Sequence, residues 1–219
     1  MKKIFTFLIF AISFFGKAQT HREIDSLSFR MCDLLKLQEV ENDSLKVEMV
    51  FEETFYPYLG NISPEKIDKV FNQVYFRFQR NCPAFRAILN QMYPPKDEVT
   101  FQKTEPESEI TIRELSDFKK QEKFSYKEVD GNITKVEIKD GYWVDHFSDE
   151  TFSKLSLEWM SDKEFQLTFI DSNNLTRSNF SFPGDKLNYK IIAKKEGYYL
   201  VSVNIEGQKE YEIFKLYTS

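Results

Sequence analysis

Two histidines, two cysteines, two tryptophans and seven glycines in 219 residues leave little material for most catalytic constellations. With so few His and Cys there is no HExxH or paired-cysteine zinc spacing, and no EF-hand loop appears among the acidic residues. Most of the glycines are taken up by turn pairs, so no phosphate-cradling glycine loop remains, and there is no Gly-x-Ser-x-Gly for a nucleophilic serine. Neighbouring acids such as Glu52-Glu53 and Asp149-Glu150 read as solvated surface rather than as a hydrolytic pair. No basic cluster is present and the net charge is −5, which argues against nucleic acid or an anionic membrane as partner. Beyond the N-terminus no apolar run is long enough to span a bilayer. Neither a cofactor nor a metal site is expected.

What the chain does have is aromatic bulk, with 22 Phe and 11 Tyr. The first residues carry an export pattern: Lys2 and Lys3, an apolar run from Ile4 to Phe15, then small residues at Gly16 and Ala18. A signal peptide over 1–18 is expected, with cleavage before Gln19 and no cysteine there to carry a lipid anchor. Loss of three lysines and no acids takes the charge from −5 to −8. Export to the periplasm or beyond permits a disulfide, and Cys32 with Cys82 is the only pair available. The bridge is favoured over two buried thiols that never meet. It would close a loop of about 50 residues, worth about 4 kcal/mol in the chain-entropy model.

Residues 19–93 read as a small helical module. Leu27, Met31, Leu34 and Leu35 form one stripe behind a cap at Asp25; Val47, Val50, Phe51, Phe55 and Tyr58 form another behind Asp43. Ser63-Pro64-Glu65 opens a third helix, which Asn81-Cys82-Pro83 breaks before a short fourth. Pro94-Pro95 stops the helical pattern, and 94–109 reads as a linker.

In 110–219 the period changes to two. Strands are expected near 123–128, 132–139, 142–147, 152–159, 164–170, 187–194, 198–205 and 210–217, with a looser one at 178–182. Asp130-Gly131, Asp140-Gly141, Ser161-Asp162, Pro183-Gly184, Glu196-Gly197 and Glu206-Gly207 supply the turns. The fold class is therefore α+β: a helical module followed by an antiparallel β-meander closed or curled into a lipocalin-like barrel, with a β-sandwich as the alternative.

The runs WMSDKEFQLTFI, FPGDKLNYKII, KKEGYYLVSV and EYEIFKLY, with RMCDLLKL and RNCPAFRAIL in the helical half, carry a resemblance. The chain resembles uncharacterised exported Bacteroidetes proteins with a helical N-terminal module and a lipocalin-like β C-terminal domain. The resemblance implies a β-barrel and an envelope or extracellular location, and no catalytic signature. Gly141-Tyr142-Trp143 has the Gly-x-Trp letters that lipocalins carry on their first strand, but here it falls on the third.

Three sets of residues remain as candidate sites. Trp143, Trp159, Phe165, Phe169, Tyr189, Tyr199 and Tyr211 either line a cavity for a small apolar ligand or fill the barrel as core, the second being the expected outcome. Asp25-Ser26-Leu27 and Asp43-Ser44-Leu45 resemble the O-glycosylation acceptor of exported Bacteroidetes proteins, on Ser26 and Ser44; helix capping is the other account. Asp145-His146-Phe147-Ser148-Asp149-Glu150 is the one cluster with metal-type ligands, but Asp145 and His146 as strand neighbours face opposite ways, so a solvated turn is expected there. Function reads as non-enzymatic binding of a small apolar ligand. A protein-interaction module of the envelope is the alternative, and a hydrolase comes last.

Overall fold

The computed structural model describes residues 15–95 and 99–218, with side chains from 21 onward. The expected signal peptide lies outside the described residues except for 15–18, as do residues 96–98 of the expected linker. The chain divides into two compact units, one ending at Phe85 and the other beginning at Arg86.

The first unit is helical. Helix α1 runs Phe15–Leu37, α2 Asp43–Val50 and α3 Tyr56–Leu59, the last two joined through a wider π-type turn at Phe51–Phe55. A single 3-10 turn at Pro64–Lys66 leads into α4, Ile67–Asn81, and α5, Pro83–Met92, begins in this unit and continues past its last residue, Phe85. Ile24, Leu27, Met31 and Leu35 form the buried stripe of α1, and Val70, Val74 and Phe78 that of α4. Around them Phe51 packs edge-on against Phe55 at 5.2 Å, and Phe78 stacks on Phe85 at 4.2 Å.

Cys32 and Cys82 are bridged, joining mid-α1 to the C-terminal cap of α4. Nearer the start of α1, Asp25 is no helix cap, because the helix begins ten residues before it. Its Oδ1 accepts from Arg77 Nε at 2.6 Å and from Asn81 Nδ2 at 2.9 Å. The cap of α2 is Asn42, whose side chain accepts from the Leu45 amide, and Asp43 is the first helical residue. Local sequence signals are the same for a cap and for a carboxylate engaged by a distant cation, so only the fold separates them.

The second unit is a closed eight-stranded antiparallel barrel. Its strands are β2 (Lys123–Lys127), β3 (Ile133–Lys139), β4 (Tyr142–His146), β5 (Phe152–Trp159), β6 (Glu164–Ser172), β7 (Lys186–Lys195), β8 (Tyr198–Ile205) and β9 (Tyr211–Thr218). They pair in chain order, and β9 returns to β2 through Phe124↔Thr218 and Ser125↔Tyr217. The eight strands stand where the period-two pattern puts them, and the sandwich alternative is not formed. Asp140 and Gly141 both hold positive φ in a two-residue hairpin loop, the conformation a primed turn requires. Pairing skips Ile170 opposite Lys154/Leu155 and Ile192 on β7, and such bulges bend the strands that must curl into a barrel.

The segment expected as a linker contributes to this unit. Strand β1 (Thr100–Gln102) pairs with the start of β9, Ser108 Oγ donates to the Ile191 carbonyl at 2.7 Å, and the Glu109 amide donates to the Ile192 carbonyl at 2.8 Å. Helix α6 (Ile112–Lys120) then precedes the barrel, opened by a reciprocal capping box between Thr111 and Glu114. The looser strand expected at 178–182 is not there. Helix α7 (Leu175–Phe180), capped by Asn174, occupies its first half.

Candidate functional site

Alternation along the strands turns Trp143, Phe165, Tyr199 and Phe124 into the barrel, where each is essentially inaccessible. Trp143 lies 6.0 Å from Phe165, which stacks on Tyr189 at 5.1 Å and meets Trp159 at 5.2 Å. Phe169 is buried in the same cluster. From outside the meander, α6 adds Leu115 and Phe118; the Phe118 ring sits 5.0 Å from both Phe124 and Tyr199. These rings fill the interior, as an eight-stranded barrel of this diameter allows. Tyr211 does not join them. It begins β9, opposite Gln102 of β1, and stays half-buried outside the core cluster.

Up-and-down topology collects the β2–β3, β4–β5, β6–β7 and β8–β9 connections at one end and the other connections at the opposite end. The first end holds a polar cluster. Asp145 is 6% exposed, on the same face of β4 as Trp143, and its Oδ1 accepts from the Trp143 indole N–H at 2.8 Å. Burial pushes its carboxyl up to about 6, against the opposing pull of Arg177 and of the indole. The solvated turn expected at Asp145 is thus corrected for that residue: it is inward-facing, while His146 points out with its Nε2 3.9 Å from Glu137. Neighbouring strand positions do diverge as period two demands.

Arg177 comes from α7. Its Nη2 donates to Glu128 Oε1 at 2.7 Å and to Oε2 at 2.8 Å, and Thr134 Oγ1 donates to the same carboxylate at 2.7 Å. Burial works against the Arg177 charge, but Tyr126, Glu128 and Asp145 outweigh it and raise its pKa overall. Burial also pushes up the Glu212 carboxyl and the phenols of Tyr126 and Tyr189. Side-chain exposures of 31% for Arg177 and 24% for Glu128 put this pair at the solvent edge of the cluster, with Asp145 beneath.

At the opposite end a cleft of about 240 Å³ opens between the end of α6, the β3–β4 hairpin and β5. Ile138, Leu157, Trp159 and Phe118 give it an apolar floor; Lys119, Lys120, Lys139, Glu122 and Asp140 stand on its rim. Lys119 Nζ lies 4.2 Å from the centre of the Trp159 ring, a cation–π distance. Lysines at 119 and 120 suit the carbonyl end of α6. Lys139 is on a strand and has no such account.

Of the residues singled out by sequence, the barrel brings together Trp143, Trp159, Phe165, Phe169, Tyr189 and Tyr199, and only Trp159 reaches the cleft. No local pattern singles out Arg177, Glu128 or Lys119. Asp145 does carry a signal, since it follows Trp143 by two residues on one strand. Ser26 and Ser44 are both exposed, on α1 and in the first turn of α2. Among the described residues no group of three His, Cys, Asp or Glu side chains is placed to hold a metal ion, and no helix is long and apolar enough to cross a membrane. Comparison with protein-family models, curated proteins and solved structures finds no match for this chain.

Proposed function

We propose that this is an exported, non-enzymatic binding protein whose β domain takes a small, largely apolar ligand. The observation that carries the reading is the cleft floored by Trp159, Leu157, Ile138 and Phe118 at the α6 end of a barrel whose interior is already filled. A void of about 150 Å³ is enough for benzene, so about 240 Å³ suits a small body rather than a drug-sized one. The N-terminal export pattern and the Cys32–Cys82 bridge support an oxidising location, periplasmic or extracellular.

Hydrolysis ranks last. Its one foothold is the pair of raised carboxyls, Asp145 and Glu212, because acid catalysts are often held up by burial. Asp145, however, is 6% exposed and accepts the Trp143 indole N–H, which weighs against it as an acid catalyst. A protein-interaction module of the envelope is the second reading. It is favoured by large apolar side chains exposed on the helical unit, Phe29, Leu37 and Tyr56 among them.

Mass spectrometry of protein purified from its native envelope, first under native and then under denaturing conditions, tests the proposal. A discrete small mass lost on denaturation is the expected result. Retention of no mass, with an added protein partner instead, would move the assignment to the interaction module. The same spectra report cleavage before Gln19 and any glycan on Ser26 or Ser44.

A further inference from the structure

We infer that the cleft at the α6 end selects an amphipathic anion: a small carboxylate whose aliphatic or aromatic body lies on Trp159 and Leu157 while its charged head meets Lys119 and Lys139. This rests on the small-ligand reading and adds the chemical class of the ligand.

Charge is the first argument. The chain is acidic overall, at −5, yet three lysines stand on the rim of this cleft against two acids, Glu122 and Asp140. A local positive edge on an acidic protein marks where an anion is tolerated while the rest of the surface repels it. Among the described residues none of these lysines is held in an ion pair, whereas Lys190 and Lys194 on β7 both are.

Geometry is the second. Lys119 lays its ammonium over the Trp159 face at 4.2 Å, so a charged donor already sits at the margin of the apolar floor. An apolar tail entering beside Trp159 brings a carboxylate within reach of that ammonium without burying either charge fully. Such a half-exposed arrangement avoids most of the desolvation cost that a buried pair incurs. Lys139 ends β3 and lines the same cleft as Lys119, so the two cations come to it from different elements.

Titration of the full mature chain with octanoate and with neutral octanamide, by calorimetry and by tryptophan emission, tests the inference. The two probes share one tail and differ in charge. Octanoate is expected to bind about fivefold more tightly than octanamide, an exposed ion pair being worth up to about 1 kcal/mol. Lys119→Gln and Lys139→Gln should each lower the ratio of octanoate to octanamide affinity, and raised salt should lower it in the unmutated chain. The emission response should vanish in Trp159→Phe, which leaves Trp143 as the only tryptophan. Equal binding of both probes, indifferent to the lysine changes, would overturn the anion inference while the apolar site stands. Binding of neither probe would overturn the small-ligand reading with it. Octanoate binding that leaves Trp159 emission unmoved would place the site elsewhere and overturn the inference. Far-UV circular dichroism of each variant separates lost binding from lost folding.

Discussion

Asp145 shows how much one buried carboxyl determines. Its pKa rises from an ordinary 3.8 to about 6 because burial disfavours the charge. Between those values the folded protein binds more protons than the unfolded chain, so this group makes stability fall as pH rises from about 4 to 6. Above 6 the loss is complete, on the order of 3 kcal/mol at about 1.36 kcal/mol per unit. Asp145→Asn keeps an oxygen for the Trp143 indole and removes the charge. It is expected to be about 1–3 kcal/mol more stable than wild type at pH 7. Near pH 4 the two should be indistinguishable. Urea unfolding at the two pH values checks this, and a wild-type advantage at pH 7 would mean that Arg177 outweighs burial.

At the scale of elements, α6 is the piece whose role the period-two pattern hid. It presents Leu115 and Phe118 to the barrel, and its first turn is closed by Thr111 and Glu114. Phe118→Ala is expected to cost about 3–5 kcal/mol, the range for a large buried ring. Thr111→Ala should cost about 1 kcal/mol, the value of a cap. Both are read as shifts in the midpoint of tryptophan-detected unfolding, since Trp143 and Trp159 both lie in this unit. The signal for α6 was present in the letters Thr111-Ile-Arg-Glu114, with apolar residues three apart behind them. Helix α7 offered less: six residues are under two turns, too few to display a period. Strand β1 is three residues long and exists because β9 is beside it, which no local pattern encodes.

At the scale of the whole molecule, one covalent bridge belongs to the helical unit and none to the barrel. Among the described residues there is no free cysteine. Reducing Cys32–Cys82 restores the entropy of a loop with a sequence separation of 50, about 4 kcal/mol in the chain-entropy model. Reductant is expected to lower the temperature at which the helical circular dichroism signal is lost. Tryptophan emission, reporting the barrel, should keep its midpoint. A matched fall in both would show that the bridge supports the barrel as well.

What the sequence determined by itself is everything set by short-range chemistry. Alternating apolar residues and turn pairs specified all eight barrel strands, and Asp140-Gly141 and Pro183-Gly184 made the turns their φ preferences require. Helical stripes and the Pro64-Glu65 start marked where the N-terminal helices lie, though not the caps of α1 and α2. The tertiary structure alone decided what depends on distant partners. Closure rests on two residue pairs between β2 and β9, about ninety positions apart. Whether the aromatics lined or filled the barrel depended on α6 arriving at its end, because a ring can be called core only when something covers it. Arg177 lies 49 residues from Glu128, and Asp25 lies 52 from Arg77. Their side chains carry the same local signals whether capped, solvated or paired, and only folding brings the opposite charge within 3 Å.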